Sequence, residues 1–249
     1  MQKLAILILT KNEEKNIVDV IKNAQKCSNE IIIIDSGSTD NTVSLSEAAG
    51  ARVVFKAWDN DFAAQRNFGL AQTDADWVLY LDADERLNTD LIETIRNKIK
   101  NPELKQYTML RKSLAFGHKF NYGVLRPDCV TRLFPREKVK WVNKVHERPT
   151  CSLPEETLKG YIEHFTYEGW SQYLQKLDQY TTIWSNDAYK NGKKTSLANA
   201  FAHATSGFLQ MAFLKKGVLD GWLGLALCCN HFTYVLLKYL KLYELRKKS

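Results

Sequence analysis

No Gly-x-Gly-x-x-Gly follows the first apolar run of this chain, and no Gly-x-x-x-x-Gly-Lys-Ser/Thr occurs anywhere in it. The sequence therefore offers no ground for a dinucleotide oxidoreductase or a P-loop nucleotidase, whose phosphates rest on such loops. Cysteine is sparse: five residues (Cys27, Cys129, Cys151, Cys228 and Cys229), none in a Cys-x-x-Cys pair. That argues against a zinc site or a disulfide framework and for a reducing compartment. The apolar run from Leu4 to Leu9 is too short for a signal peptide, so the cytoplasm is the expected location. Net charge is missing from most of the chain. Residues 193–249 carry nine Lys/Arg against Asp220 and Glu244, so the whole +7 sits there and the preceding residues balance. Nucleic acid is not an expected partner, because the basic excess is confined to a tail rich in apolar residues.

What is present is a rhythm of buried strands and helices. Leu4–Leu9 is a continuous apolar run, and Glu30–Asp35 is a second run, four isoleucines ending in a carboxylate; both read as strands covered on both faces. Helical patterns follow each, through Ile17, Val20, Ile21 and Ala24, then through Leu45 and Ala48 to a stop at Gly50. Ala51–Phe55 is a third short strand, Phe62–Ala71 a helix and Trp77–Leu81 a fourth strand. Strand alternating with helix at this spacing means right-handed crossovers and a parallel sheet in an α/β fold.

Ligands of open α/β sheets bind beyond the carboxyl ends of the strands. The polar residues that follow each run fall at that edge: Thr10, Asn12 and Glu13, then Asp35, Gly37 and Ser38, then Asp82 and Asp84. In an extended chain, positions two apart point the same way, so Asp82 and Asp84 together suit one hard cation such as Mg²⁺ or Mn²⁺. Alone, the same doublet is also a strand followed by a helix whose N-cap is Asp84 or Asn88.

Ile8-Leu9-Thr10-Lys11-Asn12-Glu13, Ile34-Asp35-Ser36-Gly37-Ser38-Thr39-Asp40 and Leu81-Asp82-Ala83-Asp84-Glu85 resemble, in order and spacing, the family 2 glycosyltransferases. The resemblance implies an inverting enzyme of GT-A fold: Rossmann-like, with a mostly parallel sheet flanked by helices. It implies a nucleotide-sugar donor across the strand ends, with Asn12, Glu13 and Asp35 on the nucleoside and Asp82 near the ribose. Asp84 would hold a Mn²⁺ or Mg²⁺ ion bridging the diphosphate. Arg66 stands where such enzymes often place a residue close to the nucleotide; the alternative is an Arg on a helix surface. Glu85 reads as the start of the next helix.

The α/β rhythm is lost between residues 106 and 165, the part that implies acceptor binding by resemblance. Inverting transfer needs a general base for the acceptor hydroxyl. Glu147, which follows a strand-like run and adjoins His146, is the first candidate, and Asp128 the second. Glu147 also reads as a surface carboxylate paired with Lys144 or Arg148. His164, at the end of the run from Tyr161, fits the third metal ligand that the resemblance implies and equally a structural histidine.

Residues 166–249 read as a helical extension to a catalytic domain of residues 1–165. Gly221–Leu237 contains no Asp, Glu, Lys or Arg, yet reaches only the short limit of a membrane span. With Trp222, Tyr234, Tyr239 and Tyr243 and the flanking lysines it reads as a helix lying at an anionic membrane surface, or as a packed helix with a basic face.

Phe62-Ala63-Ala64-Gln65-Arg66-Asn67, Trp141, Val145-His146-Glu147 and Lys216-Gly217-Val218-Leu219-Asp220-Gly221 narrow the likeness to bacterial lipopolysaccharide inner-core β-1,4-glucosyltransferases. That closer resemblance implies UDP-glucose as donor and the heptose of a lipid-linked oligosaccharide core as acceptor, at the cytoplasmic face of the inner membrane. Relatives of similar length modify capsule-type glycans or peptide Cys and Ser. A sugar nucleotidyltransferase, whose Gly-rich loop with a basic residue after the first strand is lacking in Thr10-Lys11-Asn12-Glu13, and a basic membrane-binding module are the alternative classes.

Overall fold

The computed structural model describes residues 2–143 and 147–247. The chain divides into two compact units, residues 1–111 with 128–164, and residues 112–127 with 165–249.

The first unit is built on one sheet. Its parallel half comprises β1 (Leu4–Thr10), β2 (Glu30–Asp35), β3 (Arg52–Phe55) and β4 (Trp77–Asp82). The strands that extend it are β5 (Glu85–Leu87), β6 (Gln106–Ala115), β8 (Asp128–Pro135) and β11 (Glu155–Tyr167). The order is β3-β2-β1-β4-β8-β6-β11-β5. The four parallel strands are those the apolar runs predict; β4 with β8, β6 with β8 and β5 with β11 pair antiparallel.

Because strand side chains alternate, the sheet carries two apolar layers. Leu4, Ile6, Ile8, Ile31 and Ile33 pack with α1 (Ile17–Ala24) and α4 (Thr89–Lys100). Ala5, Leu7, Ile32, Ile34, Val78 and Tyr80 pack on the other face, where α3 (Phe62–Leu70) contributes Ala63 and the chain later contributes Trp141. Burial on both faces is what makes these strands read as unbroken apolar runs. Helix α2 (Thr42–Ala48) joins β2 to β3, and its chain reverses at Gly50, whose φ is +84°. The antiparallel pair β9 (Lys140–Val142) and β10 (Arg148–Thr150) carries Trp141, and Glu147 immediately precedes β10. The main chain of Trp141 is fastened to α3: its backbone N–H donates to Asn67 Oδ1 (2.9 Å), and its carbonyl accepts from Asn67 Nδ2 (2.8 Å).

One expectation changes here. Glu85 does not begin a helix: it opens strand β5 and is fully buried, while α4 starts later with Asn88 as N-cap, accepting from Leu91 N at 3.1 Å. The burial of Leu87 against the core and the pairing of Glu85 with His164 override the local helix signal.

The second unit holds the turn of β6 into β7 (His118–Lys119) and three helices, α5 (Trp170–Lys190), α6 (Leu197–Leu209) and α7 (Gly221–Lys247). Tyr173 and Leu177 of α5 meet Leu227 of α7 around Phe120 and Leu125, and Ala200 and Ala204 of α6 meet Val235 and Tyr239. The Lys216–Gly221 motif is structural: buried Asp220 accepts the backbone N–H groups of Asn121 and Tyr122 (3.2 and 2.8 Å). By length and composition, the helical stretch Gly217–Lys247 is apolar enough to cross a membrane. The architecture is an α/β fold of GT-A type with a helical C-terminal extension.

Candidate active site

Three neighbouring strands end together. Thr10 of β1 stands in register with Asp35 of β2, and Leu9 with Asp82 of β4. Buried Asp35 accepts from the backbone of Gly37 (2.8 Å) and Ser38 (3.0 Å) through Oδ2, while its Oδ1 takes the Ser38 hydroxyl and lies 3.5 Å from Thr10 Oγ1. Gly37 can make this turn because its φ of +96° costs nothing without a Cβ.

The loop after β1 is laced to the loop after β2. Asn12, at φ +57°, donates its N–H to Ser38 Oγ (2.9 Å) and accepts from Thr39 N (2.8 Å). Glu13 N donates to Thr42 Oγ1 at 2.7 Å, and Glu13 Oε2 accepts from Asn16 Nδ2 at 2.8 Å. Thr10, Asn12, Glu13, Asp35 and Ser38 thus form one hydrogen-bonded edge.

Asp82 and Asp84 do not share a strand face. Strand β4 ends at Asp82, and Ala83 and Asp84 form a tight turn into β5. The turn is held by Asp82 N donating to Glu85 Oε2 (3.0 Å) and by Arg86 donating to the Ala83 carbonyl (2.7 Å). The two carboxylates consequently have different partners. Asp82 Oδ1 meets Arg66 Nη2 at 3.2 Å and its Oδ2 meets Arg132 Nη2 at 2.8 Å. Asp84 Oδ2 lies 3.3 Å from His164 Nε2, across the β5–β11 pairing. Among the described residues, no group of three or more His, Cys, Asp or Glu is placed to hold a metal ion.

Arg66 is buried in α3, with its guanidinium carbon 4.6 Å from the Trp141 ring centre and Nη2 also 3.4 Å from Glu147 Oε1. Its Nη1 is buried without a partner among the described residues, as are the Tyr80 hydroxyl and the Trp141 indole N–H. His146 and Lys144 lie outside the described residues. Arg132 also reaches Glu85 Oε1 (3.5 Å), Arg111 Nη1 reaches the same oxygen (3.2 Å), and Arg111 grips Asp128 with two bonds of 3.0 and 2.7 Å. Glu147, Arg66, Asp82, Arg132, Glu85, Arg111 and Asp128 therefore form one alternating line of charge, with the two candidate bases at its ends.

The line sets proton affinities. Burial would raise the pKa of Asp82, but Arg132 and Arg66 outweigh it and hold the carboxyl well below the usual range. Burial pushes Glu85 up, and neighbouring Asp82 adds to that, against Arg132 and Arg111. At Asp128, too, burial is outweighed by Arg111, which lowers the pKa and makes this carboxylate a weaker base. Both Asp128 oxygens are occupied, whereas Glu147 meets Arg66 through Oε1 alone among the described residues.

Arg132, Arg111 and Glu85 are the residues that the sequence reading passes over. A signal existed for Arg132, a charge inside the apolar run Val130–Phe134 that a buried strand tolerates only with a partner. Which carboxylate partners it was not legible.

A family model described as Glycosyl transferase family 2 matches residues 5–144. An uncharacterized glycosyltransferase of Rickettsia typhi is 25% identical over 100% of this chain and 88% of its own length. The lipopolysaccharide core biosynthesis glycosyltransferase LpsC of Rhizobium meliloti is 26% identical, over 97% of this chain and 92% of its own. Among solved structures, glucosyl-3-phosphoglycerate synthase from Mycobacterium tuberculosis, in complex with Mn²⁺, UDP and phosphoglyceric acid, is 23% identical with a TM-score of 0.41. That alignment covers 55% of this chain and 56% of the synthase, so the chain spans about half the length of the solved protein. The family match extends over more than half of the sequence and takes in all three strand ends: the chain belongs to glycosyl transferase family 2 and is a glycosyltransferase.

Proposed function

We propose that the chain moves a hexose, with inversion, from a nucleoside-diphosphate sugar onto a hydroxyl of a glycan acceptor. The observation that carries this is the ending of the neighbouring strands β2, β1 and β4 at Asp35, Thr10 and Asp82, with Asp35 in register with Thr10 and Asp82 with Leu9, beside a buried arginine that reaches Glu147. In this reading Asp35, preorganised by Gly37 and Ser38, faces the base of the nucleoside, and Asn12 and Glu13 line its path. Asp82, held ionised by two arginines, accepts from the ribose hydroxyls. Arg66, with an uncommitted Nη1, turns a donor toward the diphosphate.

Asp84 and His164 fit a divalent cation: a carboxylate and an imidazole converge within 3.3 Å, each partly exposed. Mn²⁺ or Mg²⁺ held there would offset the charge that develops on the departing diphosphate. Two protein ligands leave the remaining positions to donor oxygens and water. Glu147 takes the proton of the acceptor hydroxyl as that oxygen bonds to the anomeric carbon and the bond from carbon to the diphosphate oxygen breaks. Asp128, doubly bound by Arg111, is the second candidate for this proton.

For the substrates, UDP-glucose is proposed on the resemblance of the Phe62–Asn67 and Lys216–Gly221 motifs. A lipid-linked core oligosaccharide is proposed on the likeness to LpsC. Leu214 and Trp222, 77% and 85% exposed, flank Lys215 and Lys216, and support contact of the C-terminal segment with an anionic membrane at the cytoplasmic side.

A screen of UDP-sugars with and without lipid-linked core acceptor tests the reading. Acceptor-dependent UDP release is expected. Release of pyrophosphate, or of nothing with any donor, overturns it. Flotation with phosphatidylglycerol vesicles, expected to be lost in Leu214→Glu/Trp222→Glu, tests the membrane part.

A further inference from the structure

The second unit contains a cavity of about 230 Å³ that the donor reaction does not use. Helix α5 lines it with Tyr173, Leu177 and Tyr180, which the spacing of four and three residues places on one helical face. His231 and Tyr234 of α7, three residues apart, line it from their own helix. Tyr167 and Val124 complete the wall. The rings are braced rather than loose. Tyr167 and Tyr173 meet edge to face at 5.0 Å, Phe116 stacks on Tyr167 at 6.1 Å, and His231 stacks on Tyr234 at 5.9 Å.

Four tyrosines line it, and among the described residues none of their hydroxyls makes a hydrogen bond within the protein. Three of the phenols are held as protonated donors. Burial raises the pKa of Tyr167, Tyr173 (to about 12) and Tyr234, and neighbouring phenols add to the rise. The imidazole is kept neutral, since burial and nearby Lys238 push the His231 pKa down. Lys176 and Lys238 sit over the Tyr167 and Tyr234 rings, at 5.3 and 4.9 Å, but neither lines the cavity, and no carboxylate does.

We infer that this cavity is a binding site for a single neutral sugar ring. Aromatic faces carry negative charge and suit the C–H face of a pyranose, while phenols and imidazole at the edge exchange hydrogen bonds with its hydroxyls. Size agrees: a cavity of about 150 Å³ holds a benzene ring, whereas pockets for drug-sized ligands start near 300 Å³. An acyl chain fits less well, because it would offer no partner to the phenols and the imidazole that it desolvates. The identification of the ring as part of the substrate rests on the reading that the acceptor is a glycan.

The test uses the full chain and two probes, methyl β-D-glucopyranoside and decanoate, read by saturation-transfer NMR and tyrosine difference absorbance. The glucoside is expected to bind saturably. Affinity should fall about tenfold or more in Tyr173→Phe/Tyr234→Phe, which keeps the rings, and binding should vanish in Leu177→Trp, which fills the space. Thermal melts show that each variant is folded, and the double phenylalanine variant suffices if Leu177→Trp is not. The proposal is overturned if the wild type binds no glucoside, if both folded variants bind it as the wild type does, or if decanoate alone binds. UDP binding is measured on the same wild-type sample. UDP bound without glucoside removes this site and spares the donor reading, and the converse result does the opposite.

Discussion

Arg132 of β8 places Nη2 2.8 Å from Asp82 Oδ2 at the end of β4, a contact between residues 50 positions apart. Its guanidinium is buried and also serves Glu85, whose side chain has no exposure at all. Removing it by Arg132→Met takes one of its two arginine partners from each carboxylate, leaving Arg66 to Asp82 and Arg111 to Glu85. Breaking a buried pair costs about 3–5 kcal/mol, and the third of Asp82 that stays exposed puts the expectation at about 3 kcal/mol. In a chain of this length that is a fall of roughly 6–12 °C in Tm. The pH dependence has a definite sign. The folded-state pKa of Asp82 lies below its unfolded value of about 3.9, so its contribution is complete above that pH and is lost as pH falls through the folded value. Urea midpoints measured from pH 3 to 7 should show a steeper acid decline in the wild type than in the variant.

The asymmetry between the two base candidates gives a second expectation. Glu147→Gln keeps a hydrogen-bond acceptor for Arg66 but cannot take a proton, so UDP affinity should hold while transfer drops roughly 10²–10⁴-fold. Asp128→Asn should cost far less, because Arg111 already lowers the proton affinity of that carboxylate. Single-turnover transfer rates beside UDP titrations check this; the reverse ranking would move the base to Asp128.

Metal binding can be read without turnover. Asp84→Asn should weaken Mn²⁺ binding in the presence of UDP at least tenfold, a loss that even outer-shell changes reach. The signal of unbound Mn²⁺ in electron paramagnetic resonance reports it. His164→Ala should act in the same direction, since its Nε2 faces the same carboxylate. Unchanged Mn²⁺ affinity in both variants would remove Asp84 and His164 as ligands.

Gly160 lies in β11 at φ +103°, and a Cβ there would stand 2.4 Å from the backbone nitrogen of Leu91, in the first turn of α4. Both strain and overlap oppose a side chain, so Gly160→Ala should destabilise the fold by about 3 kcal/mol. The variant should show a lower urea midpoint with the slope kept.

Much of the fold was legible because it is local. Ile31–Ile34 and Val78–Leu81 are unbroken apolar runs since both sheet faces are covered, and Gly50 marks a turn that only a residue without Cβ makes easily. Residues 106–165 were harder to read. There the strands are antiparallel, half-buried and long, and β11 runs from Glu155 to Tyr167 where the sequence shows a strand only from Tyr161. Glu85 looked like a helix start because an acidic residue before Asn88 and Asp90 is a common N-terminal signal; its burial against β11 prevailed.

By itself, the sequence determined that acidic and polar residues leave β1, β2 and β4 at one edge, since strand length and alternation with helices leave no other arrangement. It also confined the net positive charge to residues 193–249. Tertiary structure alone decided how Asp82 and Asp84 divide their partners. Asp82 is committed to Arg66 and Arg132, and Asp84 to His164, because a turn at Ala83 separates them and the strand order β4-β8-β6-β11-β5 brings distant side chains alongside. Pairing of this kind depends on register between strands far apart in the chain, and periodicity along the chain carries no record of it.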